Sequence, residues 1–108
     1  MSRFSLTVEE ALTSVEIAVR EVQTSYREMV AKQKAVRAAQ SEADYLNDRW
    51  KVLPNVNDSA AQLLENLLDA QERVADEEQA MVSAQVNYVL TLVQLKSEMG
   101  TLLRVGGQ

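Results

Sequence analysis

Trp50-Lys51-Val52-Leu53-Pro54-Asn55-Val56-Asn57-Asp58-Ser59-Ala60-Ala61-Gln62 holds the only proline and the only tryptophan of the chain, near its middle. Pro54 cannot continue a helix, and it pushes Leu53 out of helical geometry. Asn55-Val56-Asn57-Asp58 is turn chemistry, because Asn and Asp tolerate unusual backbone angles and bond locally. Ser59-Ala60-Ala61-Gln62 has the form of a capping box and marks a restart. On either side lie about forty residues with helical periodicity and no interior Gly or Pro before Gly100. The stretch therefore reads as the bend of an all-α, long antiparallel two-helix coiled-coil hairpin. The expected parts are a helix over 7–52, a turn over 53–58 and a helix over 59–104, within one hairpin over 1–108.

Upstream of the bend, Thr7-Val8-Glu9-Glu10 reads as a second capping box, with Glu10 reaching back to Thr7. Glu9 and Glu10 also suit the positive end of the helix dipole. A stripe then runs Leu12, Val15, Val19, Val22, Tyr26, Met29, Gln33, Val36, Gln40, Ala43, Asn47, Trp50. It alternates steps of three and four, the coiled-coil pattern. Small residues lie beside it at Ala11, Ala18, Ser25, Ala35, Ala38 and Ala39. The large stripe is expected to face the partner helix, and the small one to admit a further neighbour at close range. Glu16–Arg20 and Glu28–Lys32 have acid-before-base spacing for ion pairs along the helix.

Downstream, Leu63, Leu64, Leu67, Leu68, Val74, Ala75, Met81, Val82, Tyr88, Val89, Leu92, Leu95, Met99 and Leu102 make a stripe broader than a strict seam. Gly100 marks an end, or a weak continuation to Val105. Two helices of about forty residues give a rod roughly 60 Å long. A spacing near 3.5 residues favours a left-handed supercoil. Two helices share one seam, so apolar surface remains and the hairpin is expected to self-associate into a bundle.

The composition narrows the function classes. The 108 residues contain no Cys and no His and carry a net charge of −5. Disulfides, thiolate zinc sites and an imidazole base are ruled out. The acidic balance argues against a nucleic-acid footprint. Residues 1–54 hold eight acidic and eight basic residues, whereas 55–108 hold eight acidic and three basic, so the second helix carries the excess. No apolar run is long enough to span a bilayer. Met1-Ser2-Arg3-Phe4-Ser5-Leu6-Thr7 lacks the apolar core of a signal peptide. The chain is therefore expected to be cytosolic or a fragment of a longer protein.

Glu65, Asp69, Asp76, Glu77 and Glu78 are clustered acids, but the di-metal pattern of helical bundles needs Glu-x-x-His repeats. They read as solvated faces. No nucleophile elbow, phosphate loop or calcium loop is present. No catalytic residue, cofactor or metal is expected. The candidate site is the tip: Lys51, Val52, Leu53, Pro54, Asn55, Val56, Asn57 and Asp58. Its apolar members either pack back on the helices or dock on a partner. Trp50 either closes the hairpin core or serves as a partner hot spot.

Longer motifs add a resemblance. Leu64-Glu65-Asn66-Leu67-Leu68-Asp69-Ala70-Gln71, then Ala84-Gln85-Val86-Asn87-Tyr88, then Leu95-Lys96-Ser97-Glu98-Met99-Gly100-Thr101-Leu102, resemble in order and spacing the TolC-like outer membrane efflux proteins. Val19-Arg20-Glu21-Val22-Gln23-Thr24-Ser25-Tyr26 looks like the family's helix descending to a periplasmic turn. The resemblance covers about residues 8–104. It implies the second periplasmic helical hairpin of a tunnel, cut from a longer outer membrane protein. Three such chains would form a twelve-helix barrel whose bends point at a periplasmic adaptor and an inner-membrane pump. The family turn is shorter and carries a Gly-Thr-Arg-like element. Here Trp50 stands in place of a Tyr, and the bend is longer, so docking would use Leu53–Asp58. A different reading of the same helices is a stand-alone coiled-coil scaffold or adaptor without a transport role.

Overall fold

The computed structural model describes residues 7–52 and 57–107, and for 57–59 the backbone alone. The protein is all-α, an antiparallel pair of long helices. Helix α1 spans Val8–Val52 and α2 spans Asn57–Gly106. The Thr7 amide donates to Glu10 Oε1 at 3.2 Å, and the Glu10 amide donates to Thr7 Oγ1 at 3.0 Å. This reciprocal box satisfies two of the orphan donors of the first turn. At the other end of α1, Arg49 and Lys51 lie in the last turn, where cations oppose the dipole favourably.

Helix α2 starts two residues before the expected restart. Asn57 and Asp58 are good helix openers themselves. The Gln62 side-chain amide donates to Asn66 Oδ1 at 3.0 Å, one turn ahead. The helix also passes through Gly100 to Gly106. One glycine costs about 1 kcal/mol in a helix interior, less than the flanking turns contribute together.

The chain divides into two compact units, Met1–Met29 with Ala84–Gln108, and Val30–Ser83. In the first, Ser25 meets Thr91 and Tyr26 meets Tyr88, so the numbering falls on α2 as it rises on α1. Ala11, Ala18 and Ser25 are buried to 1%, 3% and 3% exposure, and Ala84 to 6%. Val15 and Val22 are half-buried between them. In the second unit the buried residues are Ala39, Ala43, Leu63, Leu67 and Ala70.

This arrangement corrects the expected seam. The α1 seam runs Ala11, Val15, Ala18, Val22, Ser25, Met29, and resumes at Val36, Ala39, Ala43. Val15, Val22, Met29, Val36 and Ala43 of the expected large stripe belong to it. Leu12, Val19 and Tyr26 do not: they are 48%, 37% and 50% exposed. The small residues replace them, because small side chains let the two backbones approach closely and bring more atoms into van der Waals contact. The α2 seam runs Leu63, Leu67, Ala70, Val74, Glu77, Met81, Ala84, Tyr88, Thr91, Leu95, Glu98, Leu102. Leu64, Leu68, Val82, Val89, Leu92 and Met99 of the broad stripe are exposed.

The expected pairs Glu16–Arg20 and Glu28–Lys32 do not close. Ordering two long exposed side chains costs about as much as their attraction returns. Among the described residues the ion pair is Glu42–Arg73, between helices, at 2.6 Å.

Candidate partner-binding surface

The tip is described only at its edges. Lys51 is exposed, and Val52 is 77% exposed at the end of α1. Val52 therefore does not pack back on the helices. Leu53, Pro54, Asn55 and Val56 lie outside the described residues, and Asn57 and Asp58 open α2. Trp50 keeps 38% of its surface open, so it is only partly covered by the hairpin. Beside it, the Arg49 guanidinium carbon sits 5.9 Å from the Tyr45 ring centroid, and Arg49 Nη1 donates to Tyr45 Oη at 3.3 Å. A ring face attracts a cation in this way, and the contact orders Arg49 along α1. Tyr45, Trp50, Val52, Leu64 and Leu68 give this end of the Val30–Ser83 unit several exposed apolar side chains.

The other unit carries apolar surface beyond the seam, which the sequence reading expected but did not locate. Its two flanks differ in chemistry. On one side Ser14, Ile17, Glu21, Leu90, Gln94 and Glu98 line an open groove, which continues past Arg20, Thr24, Glu28 and Asn87. Exposed Ile17 and Leu90 mix there with the charged and amide groups of Arg20, Glu21, Glu28, Asn87 and Gln94. On the opposite side of the seam, helix periodicity puts the residue following each buried position. Those are Leu12, Val19 and Tyr26 on α1 and Leu92 and Met99 on α2, with Val89 one turn before Leu92. All six are exposed. Tyr26 leans on Tyr88, centroids 5.6 Å apart and tilted by 56°, an arrangement that aligns ring edge with ring face. The outer face of α2 adds Val86, Leu90 and Val93.

The signal for this surface was present in the sequence. From Gln79 to Leu95 no charged residue occurs. A helix segment apolar on more than one face is covered by more than one neighbour. The sequence shows the α2 stripe to be broader than a strict seam, but not which of its residues form the surplus.

Among the described residues, no group of three or more Asp or Glu side chains is arranged to hold a metal ion. No helix of the described residues is long and apolar enough to cross a membrane. Compared with protein-family models, curated proteins and solved structures, the chain matches none. The likeness to the TolC-like efflux proteins rests on the motifs alone.

Proposed function

We propose that this chain is a periplasmic tunnel-forming hairpin of an outer membrane efflux or secretion duct. It lines a passage as one wall element and presents its bend to a periplasmic adaptor, which joins it to an inner-membrane pump. The parent protein would be a homotrimer of the outer membrane, with this segment on its periplasmic side. The observation that carries the reading is the difference between the two flanks of the Met1–Met29 and Ala84–Gln108 unit: a groove in which Glu21, Glu28 and Gln94 alternate with Ile17 and Leu90, and a flank made of Leu12, Val19, Tyr26, Val89, Leu92 and Met99. A wall element needs one chemistry for neighbouring helices and another for water. The surplus apolar surface of α2 supports neighbours that the hairpin itself does not supply. At the tip, exposed Val52 beside partly open Trp50 supports docking over packing back.

The gene around this segment is the test. The duct reading expects a signal peptide, a second hairpin of the same kind and strand-forming segments between them. A gene encoding this hairpin without those parts would leave the stand-alone coiled-coil scaffold.

A further inference from the structure

The apolar flank of the Met1–Met29 and Ala84–Gln108 unit has a defined outline. Leu12, Val19 and Tyr26 succeed one another every seven residues on α1, and Val89, Leu92 and Met99 face the same way on α2. Exposures of 37% to 55% on side chains of this size leave on the order of 600 Å² open, the upper range for an apolar patch on a monomer. Two such patches together give about 1,200 Å², the lower bound of a standard stable interface before any rim is counted.

Two charges sit within the outline. Glu16 lies between Leu12 and Val19, and Lys96 lies between Leu92 and Met99; both are exposed. Ser25 is level with Thr91. Counting outward from that pair, Glu16 and Lys96 differ by four residues along the axis, about 6 Å. The two do not pair with each other within one chain.

We infer that this flank is covered by a second copy of the chain, arranged about a two-fold axis parallel to the helices. In that arrangement α1 of each copy lies over α2 of the other, and Glu16 reaches Lys96 of its partner at both edges. A two-fold contact repeats every pair twice, so one complementary pair becomes two. The alternative, with the copies antiparallel and α1 over α1, brings Lys96 against Lys96 when the patches overlap, and like charges then oppose it. The inference uses this unit alone and does not rest on the duct reading; a hairpin with any function would have this flank to cover.

The test uses the full chain. Size-exclusion with light scattering at high micromolar concentration should return twice the 12.1 kDa chain mass. The double variant Leu12→Glu with Leu92→Glu should return the single mass with unchanged helicity by circular dichroism. Gln94→Glu, in the groove on the opposite flank, should stay paired. Orientation is read by cross-linking, since the chain has no native Cys. A mixture of Glu16→Cys and Lys96→Cys chains should give mainly the mixed product with a short bismaleimide. A monomeric native chain, a larger assembly, or pairing that survives Leu12→Glu with Leu92→Glu would each overturn the proposal. So would Glu16→Cys chains joining chiefly to themselves. If the double glutamate variant loses helicity, the cross-linking pattern alone decides.

Discussion

Ser25 Oγ and Thr91 Oγ1 lie 2.8 Å apart across the seam, and each also faces a carbonyl of its own helix, Val22 at 3.0 Å and Tyr88 at 2.7 Å. Two hydroxyls own two protons for three contacts. One hydroxyl therefore donates to its own helix while the other donates across. Either can take either role, so the cross-seam bond persists in two arrangements. Among the described residues Ser25 is the buried polar one. Such a pair favours this register, because sliding one helix by a turn would lose the cross-seam bond and leave each hydroxyl only the carbonyl of its own helix.

Thr91→Val should cost about 0.5–1.5 kcal/mol, the net value of one hydrogen bond, since Ser25 keeps its Val22 acceptor. Ser25→Leu should cost more, about 1–3 kcal/mol, by forcing a large side chain between close backbones. Urea unfolding followed by circular dichroism gives both numbers. Equal costs would mean that packing, not the hydroxyl pair, decides this position.

The corrected seam makes a paired prediction at adjacent residues. Ala18→Leu should destabilise by about 1–3 kcal/mol, whereas Val19→Ala should change stability by less than about 0.5 kcal/mol in the isolated chain. The reverse order would restore the large-residue stripe as the seam. Thermal unfolding at a concentration where the chain is monomeric separates the two.

Gly100 sits inside α2, and a Cβ there would meet nothing within 4 Å. Gly100→Ala should therefore stabilise the hairpin by about 0.5–1 kcal/mol, through lower entropy of the unfolded chain and better helix propensity. Calorimetry or urea titration reads it. No gain would indicate that the turn at Gly100 is frayed.

The Glu42–Arg73 pair joins the helices at 2.6 Å, with its two side chains about half exposed, 49% and 52% respectively. A double-mutant cycle with Glu42→Gln and Arg73→Gln should give a coupling of about 0.2–1 kcal/mol. It should shrink toward zero as salt approaches molar concentration, where the screening length falls to about 3 Å.

The hairpin was legible in the sequence because its markers are local. Pro54 and the Asn-rich turn end one helix, and Thr7 with Glu10 caps its start as read. The seam was legible only in part. Steps of three and four fit both Leu12-Val15-Val19-Val22 and Ala11-Val15-Ala18-Val22, so periodicity alone could not choose. Choosing the larger side chains assumed that one partner helix claims them. The pairing of α1 with α2 instead uses the small face, and Leu12, Val19 and Tyr26 are left for a neighbour that a single sequence does not show. The helical restart was misplaced by two residues because Asn57-Asp58 fits a turn and a helix start equally well. At the site, Val52 is exposed at the end of α1, while Leu53–Val56 lie outside the described residues.

The duct reading meets its most direct test at Val52. A photo-activatable residue placed there in the parent protein, in intact cells, should form a covalent product with a periplasmic adaptor identified by mass spectrometry. Leu53→Asp with Val56→Asp should reduce that product while leaving helicity unchanged. A product formed only with cytoplasmic proteins, or none with any envelope protein, would contradict the account.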